Sequence, residues 1–265
     1  MFVTRLRFST RFLSAALCGI VSCNVLANSY DDGLVAFAQG DYVQAEKHFA
    51  SAAAIGDAGA QHMLMRMYKE GKGVSQDAKQ SFQWSKNAAE QGITNAQFVL
   101  AEYYQYGQGT ERNLKQAFYW YQQAANQGHH IAKEKLAGFY ENGDVVSQDL
   151  QVAKRLYIYA ASEYDVFAQK GDARAQNSLA SMYEQGKGVG FDMTLAMKWY
   201  KKSALQDYAL AQFNLGRLLA EGNHVDRNIA EAAFWLEKAA QQGLPQAQAM
   251  LSELKQVHGT NLAMR

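Results

Sequence analysis

The side chains able to do chemistry are few and scattered. The histidines are His48, His62, His129, His130, His224 and His258, and none pairs with a second histidine at four-residue helical spacing beside a carboxylate, the arrangement that holds a catalytic zinc. His129 and His130 are adjacent, but neighbouring side chains on a turn diverge, and an exposed polar loop is expected there. Ser252 and Lys255 have the serine–lysine spacing of some acylating enzymes, a spacing that this serine and lysine content produces about once by chance. Gly71 and Gly73, like Gly107 and Gly109 or Gly186 and Gly188, lack the preceding strand of a phosphate-binding loop. Glu102 with Glu111, and Glu141 with Asp144, fall at the ends of expected helices, where solvation accounts for them; acid–base work would need a buried pair in a cleft. Neither catalytic residues, nor a metal, nor a cofactor is expected.

The elements that carry these residues follow from composition. The 265 residues are 48% apolar and 19% charged, which is globular, and they include one proline against 21 glycines. With no long β-branched runs, that balance favours helices turned by glycine. Residues 1–27 are different in kind. Arg5, Arg7 and Arg11 precede the apolar run from Phe12 to Val21, and Val25-Leu26-Ala27 has a small-x-small cleavage pattern, so a secretory signal peptide cut after Ala27 is expected. The formal charge of +1 becomes −2 once these three arginines are removed, and an interspersed, near-neutral surface argues against nucleic acid. Nothing beyond this segment is apolar for long enough to span a membrane. Both cysteines, Cys18 and Cys23, lie inside it, so the mature chain is expected to have neither disulfide nor thiol nucleophile. A second reading stays open: Ile20-Val21-Ser22-Cys23 resembles a bacterial lipoprotein processing box, which would make Cys23 a lipidated first residue. The expected location is periplasmic or secreted.

The rest of the chain repeats. Ala60, Ala96, Ala132, Ala175, Ala211 and Ala247 are separated by 36, 36, 43, 36 and 36 residues. Four positions on stand Leu64, Leu100, Leu136, Leu179, Leu215 and Leu251; eight on stand Tyr68, Tyr104, Tyr140, Tyr183 and Leu219. That spacing gives one face of a first helix. The glycine pairs then end it, and Asp77, Asn113, Asp149, Asp192 and Asn228 suit the N-cap of a second helix. Trp84, Trp120, Trp199 and Trp235 share one position on that helix, with Leu156 in the third unit, and small pairs such as Ala88-Ala89 follow four residues later. Large against small gives interdigitation between stacked hairpins.

This register resembles the Sel1-like repeat family, close relatives of tetratricopeptide repeats, over nearly all of residues 31–257. The resemblance implies an all-α, right-handed solenoid of about thirteen helices: an N-terminal partial repeat at 28–59, five repeats at 60–95, 96–131, 132–174, 175–210 and 211–246, and a capping helix and tail at 247–265. Two departures stand out. Val145 takes the place of the second glycine in the third repeat, and the stretch between Ala161 and Gly171 is seven residues longer than elsewhere. Seven residues are about two turns and preserve the apolar face, so residues 162–170 are expected to protrude.

If the offsets four and eight face the core, offsets two, six and ten of each first helix face the other way, along the expected inner curve. His62, Arg66, Phe98, Glu102, Tyr106, Phe213 and Arg217 are the partner-binding candidates there, the aromatic ones because large rings on a solvent face suit binding hot spots. The resemblance implies a non-enzymatic adaptor that grips a protein partner on its concave face. Two alternatives remain: an outer-membrane lipoprotein organising an envelope or secretion assembly through Cys23, and a hydrolase of cell-wall or β-lactam substrates.

Overall fold

The computed structural model describes residues 29–259. The expected signal peptide, the cut after Ala27, Cys23 and the last six residues of the tail lie outside the described residues. Thirteen α-helices and no strand occur among the described residues. They are α1 (29–38), α2 (Tyr42–Ala54), α3 (Ala58–Glu70), α4 (Ala78–Glu90), α5 (Thr94–Tyr106), α6 (Leu114–Asn126), α7 (His130–Asn142), α8 (Leu150–Gln169), α9 (Ala173–Gln185), α10 (Met193–Ala204), α11 (Ala209–Glu221), α12 (Ile229–Gln241) and α13 (Pro245–His258). The chain divides after His129 into two compact bodies. In each, every helix packs on its neighbours in sequence, giving an all-α array of hairpins of the helical-repeat solenoid class.

Each hairpin is closed by the same local chemistry. Gly71, Gly107, Gly186 and Gly222 adopt left-handed backbone at the ends of their helices, which L-residues with a Cβ resist. The chain then returns so that the amide of each expected N-cap residue donates to a carbonyl of the helix just ended: Asp77 to Tyr68, Asn113 to Tyr104, Asp149 to Tyr140, Asp192 to Tyr183 and Asn228 to Leu219, at 2.8–3.0 Å. The side chains of these five residues accept from amides in the first turn of the following helix. Such caps contribute about 1 kcal/mol each. The register alanines Ala60, Ala96, Ala132, Ala211 and Ala247 are fully buried, and Leu64, Leu100, Leu179 and Leu215 are almost so. Burying one such leucine is worth roughly 1.5–3 kcal/mol.

A buried amide ladder runs beside this apolar core. The glutamine after the register alanine is buried in four repeats, at Gln61, Gln97, Gln176 and Gln212. In each its side-chain amide donates to a last-turn carbonyl of the preceding helix, from Ala53, Ala89, Ala168 and Ala204 at 3.1–3.4 Å. Its side-chain oxygen accepts from the glutamine that ends the repeat's second helix: Gln91, Gln127, Gln206 and Gln242, at 2.7–2.9 Å. A primary amide offers both functions, so each buried group is satisfied twice. The third repeat lacks the rung. Lys133 replaces the glutamine and its ammonium lies over the ring of Tyr159, 3.0 Å from the centroid.

The seven extra residues form no separate projection, though Val166 and Phe167 among them are exposed as expected. They lengthen α8 to 20 residues, against 12 or 13 in the other four second helices of the full repeats, and within the stretch Tyr164 and Ala168 are buried. A heptad returns nearly to the same helical face, so Tyr164 repeats the position of Tyr157 one heptad later and finds its own acceptor, Glu134 of α7, at 2.5 Å.

Candidate functional site

The first-helix face expected to meet a partner is only partly open. In the N-terminal body, His62 is half-buried and its Nε2 lies 3.1 Å from the side-chain amide of Asn95. Burial, and then the charge of Arg66, hold its pKa below the ordinary histidine value. Arg66 pairs with Glu70 at 3.7 Å, and Lys69 reaches Glu102 on the neighbouring first helix at 3.4 Å. Tyr106 is 54% exposed at the end of α5. Phe98 is not exposed: it is buried, stacked on the His129 imidazole at 4.5 Å between centroids and tilted against Tyr121 at 5.8 Å. His129 is accordingly a packing residue, not part of an open polar loop.

In the C-terminal body, Phe213 is half-buried and packed against the core. Arg217 is already engaged, at 2.6 Å from Glu184 and 3.1 Å from Glu221. Burial pulls its pKa down, but the two carboxylates outweigh it and the guanidinium is held charged. Glu184 also accepts from the Tyr200 hydroxyl at 2.7 Å, so Arg217 ties together α9, α10 and α11. His130 meets Tyr164 and Phe167, and burial lowers its pKa despite the carboxylates around it.

One cluster was not foreseen. Glu141, expected to be merely solvated, accepts from the Tyr157 hydroxyl at 2.8 Å and from the Lys187 ammonium at 2.7 Å. Burial pushes its carboxyl up, yet the two donors and the lysine charge outweigh that and leave its pKa below the ordinary carboxylate value. Burial, followed by this carboxylate, raises the Tyr157 phenol. The equivalent hydroxyl of Tyr121 donates to Gln105 at 2.6 Å, so the tyrosine-to-first-helix bond recurs while its acceptor changes charge. The visible signal in the sequence is the tyrosine after the tryptophan position, at Tyr121, Tyr157 and Tyr200.

No group of three or more histidine, cysteine or acidic side chains able to hold a metal occurs among the described residues, and none of their helices is long and apolar enough to cross a membrane. The side chains gathered here bind and hold one another; their geometry offers contact surface and ion pairs.

The family model for the Sel1 repeat matches residues 20–57, 58–93, 94–129, 130–165, 173–208 and 209–244. The chain belongs to the Sel1 repeat family. The seven residues 166–172, passed over between the fourth and fifth matches, fall at the lengthened end of α8 and the turn after it. Among solved structures, a Sel1 repeat protein from Oxalobacter formigenes is 28% identical, with 89% of this chain and 91% of that one covered at a TM-score of 0.64. A protective antigen of uropathogenic Escherichia coli strains with an SLR fold is 32% identical at a TM-score of 0.54. That alignment covers 88% of this chain but 49% of the antigen. A Sel1 repeat protein from Klebsiella pneumoniae, 20% identical over 79% of this chain and 99% of that one at a TM-score of 0.51, shares the fold. No curated protein matches the chain. Sel1 repeats are in general protein–protein interaction modules, and proteins built from them are typically non-enzymatic scaffolds.

Proposed function

We propose that this Sel1 repeat protein is an exported scaffold, periplasmic or secreted, that binds a protein partner through the face formed by its first helices. The observation that carries the reading is the repeat itself: successive hairpins spend their apolar residues on one another and leave a variable polar and aromatic row, including His62, Arg66, Glu102 and Tyr106, on one side. Export rests on the arginine-led, apolar first 27 residues. The similar Escherichia coli protein is a protective antigen, which accords with a place in or beyond the envelope. Site-specific photo-crosslinking in cells tests the binding face. Probes at Tyr106 and Arg66 should capture one partner that probes at Lys86 and Tyr119, exposed on second helices of the same body, do not; equal capture from both sets would contradict it.

A second reading, an outer-membrane lipoprotein, is favoured by Ile20-Val21-Ser22-Cys23. Mass spectrometry of the mature N-terminus separates the two: free Asn28 for the soluble form, acylated Cys23 for the anchored one. Turnover of cell-wall or β-lactam substrates by the purified protein would replace the scaffold reading with an enzymatic one.

A further inference from the structure

The insertion in α8 changes where the next repeat sits. In the N-terminal body the second glycine of each loop presses against the first residue of the preceding second helix: a Cβ on Gly73 would fall 2.5 Å from the Tyr42 carbonyl oxygen, and one on Gly109 would collide with that of Ala78. Both contacts lie at the start of the helix. The equivalent loop glycine in the C-terminal body, Gly188, instead presses on the carbonyl of Tyr157, seven residues into α8. Two turns of α8, about 10 Å at 1.5 Å per residue, therefore extend past the loop that would otherwise cover them. The overhang, the Gly186–Gly190 loop and the end of α7 enclose an open notch of about 460 Å³.

The walls of the notch differ in character. Leu150, 58% exposed, and Ile158 join Ala153 and Val189 to make an apolar wall. Lys154 lines the same notch, and neither it nor the exposed Arg155, which follows it in the chain but is not part of the lining, has an ion pair among the described residues. Lys187 is committed to Glu141, whose charge it offsets. Asp149, which is not part of the lining, keeps its charge and is held at the N-cap of α8, accepting from the amides of Gln151 and Val152. Among the residues that line the notch Lys187 and Glu141 offset one another, which leaves Lys154 as the uncompensated charge beside an apolar wall that takes an apolar side chain.

We propose that this notch docks an extended acidic segment of a protein partner, anchoring one bulky apolar side chain on Leu150, Ile158 and Val189 and a flanking carboxylate on Lys154. This rests on the interaction-scaffold reading and assigns it a second, specific contact made by the irregular repeat. One apolar anchor plus one carboxylate predicts weak binding of the isolated segment, strengthened when the rest of the partner engages the repeat face.

The test uses the full mature chain and a short capped peptide with a central phenylalanine flanked by aspartates, followed by amide NMR titration. The peptide should shift resonances of Leu150, Lys154 and Val189, with lysines in place of its aspartates abolishing the effect. Lys154→Glu, an exposed change that leaves the fold intact, should weaken binding about tenfold or more. Ile158→Ser should weaken it to a similar degree. Absence of shifts at the notch at millimolar peptide, or undiminished binding to both variants, would overturn the proposal. Such a failure leaves the scaffold reading standing if Tyr106 and Arg66 still capture a partner, so the two can fail separately.

Discussion

The second repeat and the third share one register and behave differently. In the second, Gln97 is bonded twice inside the core, α6 runs 13 residues, and the tyrosine after the tryptophan donates to a neutral amide, Gln105. In the third, Lys133 replaces the buried glutamine, α8 runs 20 residues, and the corresponding tyrosine donates to a carboxylate neutralised by Lys187 of the next repeat. A heptad can be added to a helix without turning its apolar stripe, but it cannot be added without moving whatever docks on that helix. The regular repeats show what the fold requires; the irregular one shows where it can be varied to make a surface.

Breaking the shared loop contact should have the largest effect. Gly109→Ala places a methyl against the Ala78 backbone at φ +68, and should cost about 2–4 kcal/mol in urea unfolding. Val145→Gly, in the third repeat, should change stability by under ~1 kcal/mol, because Val145 is not among the positive-φ residues and strains nothing. A rung of the ladder comes next. Gln97→Ala removes two hydrogen bonds, to the Ala89 carbonyl and from the Gln127 amide, while both groups keep a partner on Gly92, and should cost roughly 0.5–1.5 kcal/mol, seen as a lowered denaturation midpoint.

The pH dependence sharpens the contrast further. The Glu141 pKa is depressed on folding, so its contribution is present above the ordinary carboxylate value and is lost as pH falls through the lower folded value. Glu141→Gln should flatten that acid limb in unfolding curves of the C-terminal body, by under about 1 kcal/mol since the pair is a third exposed. The neutral Tyr121–Gln105 bond offers no such limb to remove. The smallest effect belongs to Lys133→Gln, which supplies half a rung whose other half, at Lys170, is also a lysine; stability should stay within about 0.5 kcal/mol.

Much of this was legible in the sequence because periodicity reports directly on burial. The register alanines, the left-handed glycines and the five N-caps Asp77, Asn113, Asp149, Asp192 and Asn228 stand where the spacing puts them, since each answers a local demand of the backbone. The first-helix face was less legible. Phe98 and Phe213 occupy positions opposite Leu100 and Leu215 and so read as exposed, but a hairpin is flanked on more than one side, and Phe98 is covered by His129 and Tyr121. The glutamine ladder recurs at the repeat period and could have been found as a polar residue locked beside a buried alanine. The Glu141–Tyr157–Lys187 cluster could not, because Lys187 reaches Glu141 across 46 residues and only after the insertion has re-seated its loop. The inserted heptad repeats the apolar face of α8, and Glu134 of the neighbouring helix accepts from the Tyr164 hydroxyl that it buries.

The most direct measurement is a crystal structure of the chain lacking residues 162–168. This deletion joins Ala161 to Gln169 and reproduces the Ala124-Ala125-Asn126-Gln127-Gly128 pattern as Ala160-Ala161-Gln169-Lys170-Gly171. The predicted result is a regular second helix with Gly188 moved onto the carbonyl of Leu150, the notch closed, and Lys187 drawn away from Glu141. A folded deletion variant in which Gly188 still rests on Tyr157 and the notch persists would contradict the claim that the inserted heptad creates this surface.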